Sequence, residues 1–260
     1  AMRQAILDVS TGVAHNHNCS SIHVLFCTDD EANQFKSSQY FCRQTMQYHW
    51  RNTGYENYDE FLSRFDSKRR NQLRREQKSA AKQSIEIKTI HSTELNETHA
   101  ELAWKFYEST AGQHSWGPVQ LTRAFFHMVF EAMPECLELV VARRDEKVIA
   151  GAFNLHSPTH LFGRYWGCFE EHPFLHFNVC LYHSIDACIR AGREVFEPGA
   201  GGEHKIARGF EPTLINSLHR IFDARLDRSI RDYCQREVEH TRALAMHSEE
   251  VVGFKARVKQ

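Results

Sequence analysis

Residues Glu197 to Pro212 read E-P-G-A-G-G-E-H-K-I-A-R-G-F-E-P. They follow the apolar pair Val195-Phe196, and three glycines (Gly199, Gly201, Gly202) stand immediately before Glu203, His204, Lys205 and Arg208. Glycine admits backbone angles and close approaches that a β-carbon forbids. A glycine turn behind a strand therefore lets main-chain N–H groups converge on an anion or a developing oxyanion. Lys205 and Arg208 are three apart and share one face of a helical turn. The other reading of such a stretch is a surface turn with solvated charges. Four titratable residue types in so short a span favour a cleft.

The strands and helices on either side place this turn late in a mixed domain. Upstream, residues 85–90 alternate as a half-buried strand, and two helices follow, from Thr93 and over residues 122–133 up to Pro134. Three strand-like runs come next, at 137–143, 148–155 and 161–168, with polar turns at 144–147 and 156–159. Residues 174–191 form an amphipathic helix with Leu181, Tyr182, Ile185, Cys188 and Ile189 inward, and Gly192 as its stop. A strand is predicted over 214–221, then a long charged helix from about Asp227 to Met246.

The first 55 residues read as helix (3–17), strand (21–26), short helix opened by Thr28-Asp29-Asp30-Glu31, and strand (40–50). They suit the closing half of a domain. Between the two lies a basic segment. Seven basic residues (Lys68, Arg69, Arg70, Arg74, Arg75, Lys78, Lys82) stand against one acid, Glu76. Helical spacing puts Arg70, Arg74 and Lys78 in one row, where like charges repel and a counter-anion such as phosphate would relieve them. A solvated face is the alternative.

Composition narrows the classes. The 260 residues are 42% hydrophobic and 25% charged with a net charge of −1, so no global field draws the chain to nucleic acid or membrane. Eight scattered cysteines without a C-x-x-C suit reduced thiols of a cytoplasmic protein. Among seventeen histidines there is no H-E-x-x-H, and His15-x-His17 is the only close pair near the N-terminus, so no metal site is expected. No apolar run reaches membrane-spanning length, and no membrane span is expected.

The order β-α-α-β-β-β-α-β-turn-β over residues 85–221 resembles the GNAT (acyl-CoA N-acyltransferase) fold, an α+β mixed sheet flanked by helices. The motifs K-R-R-N-Q-L-R-R-E (68–76), W-G-P with L-T-R-A-F-F (116–126), G-R-Y-W-G-C (163–168), H-F-N-V-C-L-Y (176–182) and the glycine turn resemble the FemAB-like proteins of peptidoglycan biosynthesis and recognition. That resemblance implies a division into a partial first GNAT-like domain (1–55), a basic connector (56–84), a GNAT-like domain (85–225) and a C-terminal helix and tail (226–260).

It also implies transfer of an acyl or aminoacyl group to an amine, on a cell-wall precursor in the Fem manner. The donor would be acyl-CoA or an aminoacyl-tRNA, with no tightly bound cofactor. The partners would be a small-molecule amine or nucleotide-linked precursor, and tRNA. The Q/R-x-x-G-x-G/A loop of ordinary GNAT proteins is absent, since Glu171-His172-Pro173-Phe174-Leu175-His176-Phe177 stands at that place.

On this reading Lys205 contacts an anion or the reacting carbonyl, and Glu203, His204 or His176 relays the proton. Arg208, Gly201, Gly202, Arg164, Trp166 and Trp116 line the substrate, while Arg70, Arg74 and Lys78 hold phosphate. Two alternatives stand beside it. One is a non-catalytic module binding tRNA or a nucleotide precursor, the other an acyl-CoA-dependent N-acetyltransferase with an atypical cofactor loop.

Overall fold

A computed structural model of the chain describes residues 2–35, 39–111, 119–251 and 254. Trp116 lies outside the described residues. In order, the elements are α1 (Met2–Asn16), β1 (Ser21–Cys27), α2 (Asp29–Phe35), β2 (Phe41–Arg51), α3 (Tyr58–Ser63), α4 (Ser67–Lys82) and β3 (Glu86–His91). There follow α5 (Glu97–Ala111), α6 (Arg123–Ala132), β4 (Leu137–Arg144), β5 (Lys147–His156) and β6 (His160–Cys168). The chain ends with α7 (Leu175–Phe177), α8 (His183–Ala191), β7 (Val195–Glu197), β8 (Glu211–Ile221) and α9 (Ala224–Val251).

Two compact units emerge, one of Ala1–Gln47 with Pro212–Val251, the other of Tyr48–Glu211 with Val252–Gln260. The sequence reading closes the first unit at residue 55 and carries the GNAT-like domain on to 225. In the structure the first unit regains β8 and α9 from the far end of the chain. Its β1 pairs antiparallel with β8, from Ser21↔Ile221 to Val24↔Leu218. Leu7, Cys27, Ala32, Phe35, Tyr40 and Leu218 form its core, and Arg43 donates from two nitrogens to Glu237 at 2.6 and 2.7 Å.

The second unit is a sheet with helices on both faces, in the order β7-β6-β5-β4-β3. The end of β2 pairs antiparallel with β7 at Trp50↔Phe196. All neighbours are antiparallel except β6 and β7. β4 explains why the runs were legible in sequence. Leu137, Leu139 and Val141 face the α5–α6 layer with Phe106, Phe126 and Phe130. Val140 and Ala142 face the opposite layer with Ala80, Leu175 and Val179. A strand covered on both faces is apolar at nearly every position.

Polar caps set the helix ends. Asp66 accepts from the Arg69 amide at 2.8 Å to start α4, and Thr122 accepts from the Phe125 amide at 3.3 Å to start α6. Gly192 closes α8 in the left-handed region at φ 66°. Between α7 and α8, residues Asn178–Tyr182 form a π-helical segment. The segment is locked by the Asn178 side-chain amide, which donates to the Glu76 carbonyl at 2.8 Å and the Phe174 carbonyl at 3.0 Å. Such a bulge re-aims the side chains around it. Here those are His176, Cys180 and Tyr182.

Candidate active site

β6 and β7 pair in parallel only over His160↔Val195, Leu161↔Phe196 and Phe162↔Glu197. Past that point β7 ends, the glycine turn swings away, and β6 runs on to Cys168. A splay between two parallel strands exposes a strand edge, a ready template for an extended ligand. At the split β6 carries a bulge. Phe153 opposes Tyr165 and Asn154 opposes Gly163, so Arg164 is the extra residue. Tyr165 then packs into the α5–α6 core beside Tyr107 at 4.7 Å between ring centres. Trp166 takes the other face, edge-on to His176 at 5.1 Å. Arg164 stays exposed.

A cleft of about 80 Å³ opens here, lined by Asn154, Gly163, Arg164, Trp166, His176 and Cys180 among others. That volume admits the reacting end of a substrate and little more. A larger hollow of about 440 Å³ lies between β3 and α8. Its cations are each matched by an acid, Lys88 by Glu86 (2.8 Å), Arg190 by Asp186 (3.2 Å) and Arg193 by Glu138 (3.1 Å). The reactive groups collect at the smaller opening.

The glycine turn leads into a 3₁₀ helix, Glu203–Arg208, bounded by Gly202 and Gly209, both at φ 85°. A Cβ on Gly209 would meet the Phe61 and Phe65 rings at 2.9 Å, so this end of the turn is pressed onto the aromatic side of α3 and must be glycine. Lys205 and Arg208 are both buried, and they face different environments.

Arg208 is spent on the protein. Its guanidinium donates to Glu76 at 2.7 Å, to the Tyr182 hydroxyl at 2.8 Å and to the His204 carbonyl at 2.8 Å. It also lies over the Phe177 ring at 3.6 Å. Tyr182 donates to the same Glu76 carboxylate, and Gln72 donates to its other oxygen at 2.9 Å. Burial works to raise the Glu76 pKa, but Tyr182, Gln72 and Arg208 together hold it below the usual value. Burial, with the bond to Glu76, pushes the Tyr182 phenol up. The lone acid of the basic helix is thus its buried anchor.

Lys205 has no such partner. Its ammonium donates to the carbonyls of Gly199 and Gly201, each at 2.8 Å, and among the described residues no carboxylate comes within 4.0 Å of it. Burial pushes its pKa down to about 8. An ammonium has three donors, so one remains for a further acceptor. Lys205 sits behind the cleft lining rather than in it, and its charge bears on His176, on His204 and on the buried His49.

Burial, then His204, Lys205 and Arg208, push the His176 imidazole down to about 4, although the residue keeps an exposed edge at the cleft. His204 is exposed, 6.3 Å from His176 between ring centres, and its pKa is lowered by desolvation and the same two cations. Glu203 is exposed on the 3₁₀ helix. Gly201 and Gly202 bear on the site through backbone alone. The carbonyl of Gly201 holds Lys205, and a Cβ on Gly202 would meet the His204 ring at 2.7 Å.

Four residues outside the sequence prediction belong to this constellation. They are Cys180 in the lining, Asn154 on β5, Glu197 at the end of β7 and His49. Burial raises the Glu197 pKa, while His160, Arg51 and Arg164 work against the rise. Burial, with Arg51, His160 and Lys205, brings His49 down to about 4. Glu197 and His49 lie 3.9 Å apart. The apolar strands holding them gave no sequence signal beyond Glu197 itself opening the glycine turn. The basic row stands apart on α4, with Lys78 exposed, Arg70 half-buried and Arg74 paired with Asp59 at 2.8 Å.

A model of the FemAB-like family, described as peptidoglycan biosynthesis/recognition, matches residues 1–256. No curated protein matches the chain in sequence. Among solved structures, FemX is 11% identical with a TM-score of 0.59, over 88% of this chain and 78% of that one. The L-PGS structure from Bacillus licheniformis is 8% identical with a TM-score of 0.58, over 96% and 78%. The C-terminal domain of a putative lysylphosphatidylglycerol synthetase from Agrobacterium fabrum is 12% identical with a TM-score of 0.55, over 83% and 72%. At such identities the likeness is one of fold alone, shared with FemX.

Proposed function

The chain belongs to the FemAB-like family, and from that premise we propose that it transfers an acyl or aminoacyl group onto an amine at the cleft between β6 and the glycine turn. The observation that carries the reading is Lys205, a buried ammonium without a carboxylate, pre-aimed by two carbonyls and holding one donor in reserve. Attack of a neutral amine on an ester or thioester carbonyl forms a C–N bond and a tetrahedral oxyanion. The C–O or C–S bond then breaks, and the amine's proton passes to a base. A cation fixed in a low-dielectric site behind the lining needs no reorganisation to stabilise the oxyanion through space. His176, neutral at pH 7, is the relay at the mouth, with His204 and Glu203 further out. Arg164 and Trp166 border the acceptor, and the open edge of β6 suits an extended substrate tail.

The helix start where a GNAT protein cradles pyrophosphate is unfavourable for one here. Glu170 and Glu171 are exposed just before it, and Glu170 pairs with His172 at 2.7 Å and with Arg144 at 3.0 Å. Acids at a helix N-terminus compete with a bound anion. This favours an aminoacyl ester of tRNA or a nucleotide-linked precursor over acetyl-CoA, with Arg70, Arg74 and Lys78 on α4 as the phosphate contacts.

A thermal-shift panel of coenzyme A, acetyl-CoA, a UDP-linked muropeptide and aminoacyl-tRNA identifies the ligand, because selective binding stabilises the native state. With the stabilising donor and acceptor, Lys205→Ala should lower transfer by about 10²–10³-fold while binding falls only modestly. Unchanged transfer in Lys205→Ala removes the proposed role. Binding without transfer in the wild-type chain selects the binding module.

A further inference from the structure

β3, β4 and β5 lie side by side, and their register sets His91 opposite Glu138 and Glu138 opposite Asn154. Cross-strand partners share a face. His156, two residues beyond Asn154 on β5, falls on that face as well. A ring nitrogen of His91, a ring nitrogen of His156 and a carboxylate oxygen of Glu138 consequently lie within 4.8 Å of one another. Glu138 is fully buried, His156 half-buried and His91 exposed.

We propose that these three side chains bind a divalent cation of the zinc class. Two imidazoles and one carboxylate suit zinc or a neighbouring transition metal and count against magnesium or calcium, which take oxygen donors. The carboxylate is oriented as a ligand would be. Asn154 donates to one oxygen at 3.3 Å and Arg193 to the other at 3.1 Å. Each oxygen keeps a second lone pair, and outer partners of this kind fix a ligating group in place. Ligand atoms around tetrahedral zinc stand about 3.3 Å apart. His91 Nδ1 is already 3.8 Å from the Glu138 carboxylate, His156 lies within 4.8 Å of it, and small rotations of both rings bring the three atoms toward that spacing.

Three protein ligands leave one position open. His91 also lines the hollow between β3 and α8, which offers the ion a route in. The Glu138–Arg193 pair by itself accounts for a buried carboxylate, but not for two imidazoles converging on it. Positions 91, 138 and 156 have no motif spacing, which is why the sequence predicts no metal.

The test uses the full chain, stripped with a chelator and titrated with Zn²⁺ against a chromophoric competitor, then with Co²⁺ followed by visible absorption. One equivalent per chain is expected, with d–d bands of a nitrogen-ligated Co²⁺ form. His91→Ala and His156→Ala should each weaken binding at least about tenfold. Absence of stoichiometric binding in the wild type overturns the assignment, and so does one equivalent bound with unchanged affinity by the double variant H91A/H156A.

Discussion

Replacing Glu76 with Gln keeps the shape of the side chain and removes the carboxylate that pairs with Arg208. Arg208 then remains buried with its guanidinium uncompensated, and Tyr182 loses its charged acceptor. Removing one partner of a buried ion pair costs about 3–5 kcal/mol. For a protein of this length each kcal/mol moves the melting temperature by about 2–4 °C, giving a fall of about 6–20 °C. Urea unfolding followed by circular dichroism measures the loss at fixed pH. The double variant E76Q/R208M takes away both charges and should recover most of it, because the penalty lies in the orphaned cation rather than in the absent bond. Acid adds an independent check. The folded-state pKa of Glu76 lies below its ordinary 4.5, so the contribution is complete above that value and is lost as pH falls through the lower folded one. E76Q should lack that part of the wild-type acid limb. A loss below about 1 kcal/mol, or a double variant no better than the single one, refutes the anchor.

Lys205 has the opposite linkage to an ordinary paired lysine. Between about 8 and 10.5 the unfolded chain holds its proton and the folded chain has released it, so wild-type stability should rise relative to Lys205→Met across that window, by up to about 1.4 kcal/mol per pH unit. A difference that stays flat from pH 7 to 10 sinks the claim of a desolvated ammonium. Gly167→Ala would set a Cβ 2.2 Å from the Phe106 Cα. Backbone cannot yield as a side-chain tip can, so α5 must shift at a cost of about 1–3 kcal/mol or more, and a variant as stable as the wild type counts against the close packing of α5 on β6. Charge reversal at Arg70 and Arg74 should weaken binding of tRNA or precursor and reduce its salt slope by about 0.7–0.9 for each phosphate that is no longer neutralised. An unchanged slope means that α4 is not a phosphate site.

The legible parts of this fold are those where one element decides its own fate. β4 is covered on both faces, so Leu139 to Ala142 form an unbroken apolar run beside the buried Glu138. The stretch 174–191 carries its inward residues at helical spacing and ends at a glycine that takes the left-handed region. The division into units was not legible, because β8 and α9 belong with residues some two hundred positions earlier, and sheet pairing over that distance leaves no periodicity to read. In the site, spacing alone made Lys205 and Arg208 look equivalent. What separates them is position 76. Glu76 sits in the most basic run of the chain, where an isolated acid reads as one more solvated charge, yet helix α4 turns it inward with Leu73 and Ala80. There it neutralises Arg208 and leaves Lys205 with carbonyls only. Two buried cations three residues apart thus diverge in chemistry. One becomes a strut tied to Glu76, while the other is desolvated, its pKa pushed down to about 8, with two of its three donors on carbonyls.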